Sequence, residues 1–251
     1  MIRFTVAQKI KTLLILNHLL AGSLVFYGNL NYIWLTVLGV FLFGKIGGEI
    51  GFHRYFSHKA FKTENWKSRL LLILGSLNML GSSLSWCGTH RTHHVNADRT
   101  DDPHSPHTQH WLKVWLLHWK PFIIKPRYVS DFLRDSWHMF IHNYYFELCL
   151  AILIVGIYLD YNITVFLFSL SSVISFHTGS LLVDVFCHRW GYRNFETNDK
   201  STNNTWVNLY TGGTGLHNNH HQNPGDWNFV RKKGEWDLWG SFIKYFLIKH
   251  D

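Results

Sequence analysis

The chain has 251 residues, 47% of them hydrophobic, 17% aromatic and only 16% charged, with a formal charge of +8. A charged share well below the usual quarter or so excludes a disordered or fibrous chain, and a mean hydropathy of −0.05 excludes a plain bundle of membrane helices, because any apolar spans must be offset by a large water-facing part. Three cysteines are too few and too odd a number for a disulfide framework, while eighteen histidines are an excess that needs a reason.

From the N-terminus, Met1 to Lys11 is too short and too charged for a secretory leader. Thr12 to Gly44 then carries no charge of either sign. As one helix it would measure about 50 Å against a hydrocarbon core of about 30 Å, so it must fold back, and the polar break Gly28-Asn29-Leu30-Asn31 divides it into spans over 12–28 and 32–51. Leu70 to Trp86 is also uncharged, but its Gly75, Ser76, Asn78, Gly81, Ser82, Ser83 and Ser85 suit a helix lying at the interface or against other helices, not a fifth span. Trp111, Trp115, Trp119 and Trp137 interleave with Lys113, Lys120, Lys125 and Arg127 as on a helix resting on lipid headgroups; such a surface would also attract the phosphates of a soluble ligand.

From Asp135 to His188 there is no Lys or Arg, and the break at Asp160-Tyr161-Asn162 gives spans over 144–159 and 163–183. The expected fold is therefore all-α and membrane-integral, one domain over 1–251 with four spans in two hairpins. Both outer turns lack Lys and Arg, whereas the N-terminus, the middle segment and the tail are rich in them. The positive-inside rule places all three on the cytoplasmic side, where 53–135 and 188–251 would form a helical cap. The basic excess then records topology, and with no DNA- or RNA-binding motif a nucleic-acid partner is set aside.

Nine histidines fall in four clusters, each at or beyond the cytoplasmic end of an expected span: His53-Arg-Tyr-Phe-Ser-His58, His90-Arg-Thr-His93-His94, the single His188, and His217-Asn-Asn-His220-His221. In a helix, residues three and four apart share a face, so each HxxHH box offers its imidazoles in one direction. Adjacent members point about 100° apart, which suits two metals better than one. His53 and His58 are five apart, about 140° around a regular helix, and so serve different metals or lie where the helix ends. Nine imidazoles exceed the four ligands of a structural zinc site, and no HExxH pattern is present. Imidazole ligation favours iron, zinc, copper or nickel; two irons with an open position would give a redox catalyst.

These motifs resemble those of the membrane fatty acid desaturases of the delta-9 acyl-lipid and acyl-CoA type. The resemblance runs from about Gly47 to the C-terminus and rests on Gly51-Phe-His-Arg-Tyr-Phe-Ser-His58, Thr89-His-Arg-Thr-His-His94, Asp102-Pro-His-Ser-Pro106, Cys187-His-Arg-Trp-Gly-Tyr192, Asp199-Lys-Ser-Thr-Asn-Asn204 and Leu216-His-Asn-Asn-His-His221. It implies four membrane helices under a cytosolic cap, a di-iron centre held by histidines, and a bent tunnel for an acyl chain on CoA or lipid. It also implies O2 as oxidant and reduced ferredoxin or cytochrome b5 as electron donor. Carried over residue by residue, the expected ligands of two iron ions are His53, His58, His90, His93, His94, His188, His217, His220 and His221. Two positions depart from the family pattern. Asp184 replaces a usual asparagine four residues before His188, and an aspartate there would ligate iron or hold a histidine tautomer; Gly213-Thr214-Gly-Leu216 replaces a usual Gly-Glu-Gly-Trp.

Among the other residues, Asp98, Asp101 or Asp102 would orient a ligand histidine or start a solvated turn. His177, inside a span and near Asp184, is a candidate outer-shell group, whereas His18 is read as a structural partner or headgroup contact. His104, His107, His110, His118, His138, His142 and His250 are read as surface or interface histidines and Cys87 and Cys187 as inert buried thiols, while Glu235 and Asp237 match the family's Glu-x-Asp near the C-terminus, with an exposed face as the alternative. The absence of a Gly-x-Gly-x-x-Gly fingerprint points to a separate electron carrier. The readings that compete with desaturation are a hydroxylase or ketolase on the same scaffold, and a membrane metal-binding or transport protein.

Overall fold

The computed structural model of the protein describes residues 5–118 and 122–249. Among these the only β-structure is two isolated bridges, Tyr192 with Asn203 and Asn203 with Leu216. Four helices are long and apolar enough to cross a membrane: α1 (Val6–Tyr27), α2 (Leu30–Ser57), α6 (Ser136–Leu159) and α7 (Tyr161–His188), with mean hydropathies of 1.5 to 1.7. Between and after them come α3 (Asn65–Leu77), α4 (Ser83–Asn96), α5 (Trp111–Trp115), α8 (Thr205–Thr211), α9 (His217–Gln222) and α10 (Leu238–Phe242).

The polar breaks between apolar tracts are helix caps. The Asn29 side chain accepts from the Asn31 N–H at 3.1 Å to start α2, and Asp160 accepts from the Ile163 N–H at 2.9 Å to start α7. Capping also explains why two helices outrun their apolar tracts. Thr5 and Gln8 form a reciprocal capping box that starts α1 at Val6. Asp135, itself held by Arg69 at 2.8 Å, accepts from Trp137 N–H at 2.9 Å and starts α6 eight residues before Tyr144. Lipid needs only the apolar stretch; the side-chain oxygen decides where the first turn begins.

The chain divides into two compact units. The first comprises the stretch up to Phe52, Arg69–Trp86 and Val129–Phe176. Its core joins Leu13, Met79, Tyr145, Cys149 and Leu153. α3 crosses α2 where Gly47 faces Gly75, so closely that a Cβ on Gly47 would lie 2.2 Å from the Gly75 nitrogen; small residues permit such backbone approach. The apolar run from Leu70 is broken by left-handed backbone at Met79 (φ 58°) and Gly81 (φ 120°), so it supplies two short helices. His138 and His142, expected at the surface, are hydrogen-bonded here to Ser83 Oγ and Ser82 Oγ, both at 2.7 Å, and His138 is buried.

The second unit comprises His53–Ser68, Cys87–Tyr128 and the chain from His177 onward. α5 is a five-residue helix capped by His110, so the expected tryptophan helix is shorter than its pattern: Trp111 and Trp115 stack at 6.0 Å, Trp137 belongs to α6, and Trp119 and Lys120 lie outside the described residues, as does His250.

Candidate metal centre

All nine box histidines fall in the second unit, and they sort into two groups. In one, ligand atoms of His53, His58, His90, His94 and His220 all lie within 4.8 Å of one another; in the other, those of His93, His188, His217 and His221 do. The sorting follows helix geometry. On α4, His90 and His94 are four apart and share the five-histidine group, while His93 turns to the other. On α9 the assignment is reversed: His217 and His221 join the four-histidine group and His220 the five. The 100° step between neighbours thus splits each box between two centres.

Of the two readings of His53 and His58, service to different metals is corrected, since both face the same group, while the helix end holds: α2 stops at Ser57 and His58 follows it. From Val40 to Ser57 the second half of α2 is wound as a π-helix, and the His58 N–H donates to the His53 carbonyl at 3.3 Å, the i to i+5 bond of that winding. Five residues then make roughly one turn, and the two rings sit 5.1 Å apart. π-winding of this kind is frequent at functional sites.

The chemistry of the donor set fits a pair of metal ions. Asp102 accepts from His93 Nδ1 at 2.9 Å, Asp98 from His188 Nδ1 at 2.8 Å and Asp199 from His221 Nδ1 at 3.0 Å. A carboxylate only accepts, so each Nδ1 carries the proton and, in the neutral ring, each Nε2 presents a lone pair inward. Within the four-histidine group, His217 Nε2 lies 3.0 Å from His188 Nε2 and 3.1 Å from His221 Nε2. One proton on His217 can bridge only one of these contacts, so the other sets two lone pairs face to face unless a cation lies between. His220 Nε2 is likewise 3.0 Å from both His53 Nε2 and His94 Nε2. Carboxylates behind metal-binding imidazoles are the usual means of fixing tautomer and ring angle.

Electrostatics favour neutral rings. Burial, together with the charges of neighbouring histidines, pushes His90, His94, His217 and His220 well below the ordinary imidazole range. Burial also draws His221 down to about 4 against the Asp199 hydrogen bond. His93 is the exception: burial acts to lower it, but the charge and hydrogen bond of Asp102, aided by Asp184 and Asp98, raise it to about 9. Burial works against ionised Asp98, Asp102 and Asp199, yet their histidine partners hold all three carboxyls below the usual range.

The remaining candidates divide. Asp102 stands behind His93. Asp184 sits outside both groups, its carboxylate 3.6 Å from Nδ1 of His104. His104, read from sequence as a surface or interface residue, is buried and stacks on His93 at 4.3 Å, and its backbone N–H donates to Asp102 at 3.0 Å. His177 is drawn elsewhere: its Nδ1 accepts from Trp115 Nε1 at 2.8 Å. In the first unit, His18 donates from Nδ1 to the Leu14 carbonyl at 2.8 Å, a structural bond. His107 Nε2 donates to the His188 carbonyl at 2.5 Å.

Several residues that offer no metal ligand support the site. Arg54, next to His53, is fully buried; it donates to Asp237 Oδ2 at 2.7 Å and Oδ1 at 3.1 Å and to the Trp227 carbonyl at 2.6 Å. Its guanidinium lies 3.8 Å over the Phe229 ring, which in turn packs 4.7 Å from His220. Asp237 is therefore a buried anchor, not part of an exposed face. Glu235 also faces inward, accepting from Asn194 Nδ2 at 2.6 Å and Asn219 Nδ2 at 2.9 Å, so the second asparagine of the last box fastens α9. Arg91 donates to the carbonyls of Phe56 and Ser57 at 2.5 and 2.9 Å, closing the open end of α2. In Gly213-Thr-Gly-Leu216 the first glycine, which the Gly-Glu-Gly-Trp pattern shares, has a steric reason. Gly213 has φ +146°, and a Cβ there would lie 2.2 Å from Asp237 Oδ1.

Four membrane-length helices among the described residues and eighteen histidines, half of them converged in two groups, define a class: membrane proteins with a histidine-rich site suited to metal. The fatty acid desaturase family model matches residues 28–228, and the chain belongs to that family. It is 32% identical over 208 residues to an sn-1 stearoyl-lipid 9-desaturase of Anabaena variabilis, covering 80% of this chain and 76% of that one. It is 28% identical over 241 residues to Delta-9 acyl-lipid desaturase 2 of Arabidopsis thaliana, covering 92% and 75%. An acyl-CoA C20 Delta5-desaturase of Anemone leveillei is 30% identical over 223 residues, covering 86% and 69%. The protein is an oxidoreductase of fatty acyl chains.

Proposed function

We propose that the protein introduces a cis double bond at or near carbon 9 of an acyl chain carried on CoA or lipid, using two iron ions, O2 and electrons from a separate ferredoxin or cytochrome b5. The carrying observation is the sorting of nine buried or half-buried imidazoles into groups of five and four, each suited to one ion. His53, His58, His90, His94 and His220 would hold one, and His93, His188, His217 and His221 the other. Iron bound there would supply activation of O2 against an unactivated C–H bond. The balance is that two C–H hydrogens leave the chain as one C=C forms, and O2 with two electrons and two protons becomes two waters.

The protein's own residues orient and insulate. Asp98, Asp102 and Asp199 keep a proton on Nδ1 of their histidines, which leaves Nε2 free to hold a metal ion. The Arg54–Asp237 bracket and the Glu235–Asn219 bond hold the first and last boxes in register. The basic segments flanking the apolar helices support a cytoplasmic location for the termini and the metal site. Relatives named for positions 9 and 5 make the bonded carbon the first thing to measure.

The test is expression in a desaturase-deficient host, with mass-spectrometric location of new double bonds. Cis-9 monounsaturated chains are expected. Hydroxylated chains instead would assign oxygen insertion, and unchanged lipids in membranes holding metal-loaded protein and a working donor would refute the proposal.

A further inference from the structure

We propose that α8 and the end of α7 form a membrane-docking face of the second unit, seated in the interfacial layer of a phospholipid leaflet. α8 is two turns long. Val207, Asn208 and Thr211 are buried on one side, while Trp206, Leu209 and Tyr210, at i, i+3 and i+4, stand out at 80%, 63% and 56% exposure. An apolar face of that kind has no reason to point at water when the opposite face already supplies the packing.

What lies beside it identifies the occupant. Leu182 and Phe186 of the α7 end and Trp190 just beyond it share an apolar groove of about 330 Å³ with Asn204, Trp206 and Val207. Leu182 and Phe186 belong to a helix long and apolar enough to cross a membrane, so the exposed face of α8 continues the surface that helix would present to lipid. Its composition is that of the headgroup boundary, where Trp and Tyr place an apolar ring towards the chains and a polar edge towards water. Arg189, whose guanidinium lies 5.4 Å from the Trp190 ring, adds a cation suited to lipid phosphate.

The attachment is rigid. Asn204 caps α8 through the Val207 N–H at 3.1 Å and donates from Nδ2 to the Trp190 carbonyl at 2.9 Å, and the Thr202 N–H donates to the Cys187 carbonyl at 2.6 Å. α8 is thus pinned alongside the end of α7 as a short interfacial helix.

The three native cysteines are buried, so a nitroxide can be attached selectively to single variants Leu209→Cys, Leu19→Cys and Lys233→Cys in lipid nanodiscs. Leu19 is an exposed residue of α1 and Lys233 an exposed residue of the second unit. Accessibility to O2, which partitions into lipid, is compared with accessibility to a water-soluble Ni(II) chelate. The expected result is that the label at 209 behaves like that at 19, favouring O2, while that at 233 favours the chelate. A chelate-accessible 209 beside an O2-accessible 19 overturns the docking face alone. A chelate-accessible 19 overturns the membrane reading on which it rests. Exclusion of both reagents at 209, with dipolar broadening between labels of two chains, overturns it in favour of contact with a second copy.

Discussion

Replacing Asp237 by Asn should unfold the protein far more readily than any surface substitution, through a charge left without its partner. Arg54 and Asp237 side chains are both 0% exposed and meet at 2.7 Å. Breaking one half of such a buried pair costs about 3–5 kcal/mol, because the remaining ion keeps its desolvation and loses its counter-charge. An asparagine in this position keeps one oxygen for either the Phe229 or the Gly240 N–H, which bond separate carboxylate oxygens at 2.9 and 2.8 Å, so the loss combines the charge with one backbone hydrogen bond. For a chain of this size about 1 kcal/mol moves the midpoint by roughly 2–4 °C, which puts the expected fall between about 6 and 20 °C. The assay is intrinsic-fluorescence thermal unfolding in detergent. A second substitution isolates the cause. Arg54→Met should destabilise the wild type, but in the Asp237→Asn background it removes the stranded guanidinium and should raise the midpoint. If Arg54→Met lowers the midpoint equally in both backgrounds, the pair is not coupled and the reasoning fails.

Four further outcomes are expected. Asp98→Asn, which removes the charge behind His188, should weaken retention of bound metal by about 10–100-fold in a chelator competition; unchanged retention would deny Asp98 that role. His177→Ala and His18→Ala should leave metal content at the wild-type level, since their rings bond Trp115 and the Leu14 carbonyl, whereas His58→Ala should lower it. Gly213→Ala should depress the unfolding midpoint by several degrees, with a Cβ 2.2 Å from Asp237 Oδ1 at a left-handed residue, while Gly179→Ala, which meets nothing within 4 Å, should hold or raise it; equal effects would contradict this. In metal-stripped protein, His221 at about 4 and the lowered His90, His94, His217 and His220 stabilise the fold when neutral, so stability should be full above 6.5 and fall as pH drops towards 4. His93, raised to about 9, has the opposite sign: its contribution is full below 6.5 and lost between 6.5 and 9. A midpoint flat from pH 6.5 to 4, or an alkaline limb unaltered by Asp102→Asn, would count against these assignments.

Much of the centre is legible in the sequence because helical periodicity is a local property. The spacing of His90, His93 and His94 states that two directions are served, and the uncharged tracts state where apolar helices lie. What escapes is whatever depends on winding or on distant partners. The five-residue spacing of His53 and His58 reads as divergence at 3.6 residues per turn and becomes convergence once α2 winds as a π-helix, a change decided by packing, not by composition. His104 looks like any loop histidine until its ring stacks on His93. Asp199 lies in a loop well before the last box, and only folding brings it to His221. Arg54 and Asp237 are 183 positions apart, and no local pattern tells that one neutralises the other.

The reversed assignment of the two HxxHH boxes has a consequence for how the centre holds together. The five-histidine group draws on α2, α4 and α9, and the four-histidine group on α4, α7 and α9. Neither can be completed by one segment, and α4 and α9 are common to both. Rotating either shared helix by one residue, about 100°, would misdirect three imidazoles and spoil both groups together. The positions are therefore mechanically coupled through two short helices whose angles are set from outside: α4 by Arg91 on the end of α2 and by Asp102, α9 by Glu235, Asn203 and Asp199. Joining segments so far apart in sequence costs loop-closure entropy, and ions bound at both positions would cross-link them in the folded state alone, so metal affinity and the stability of this unit are linked quantities. The carboxylates and arginines around the histidines fix their angles, which is why their removal should register first in metal retention and unfolding.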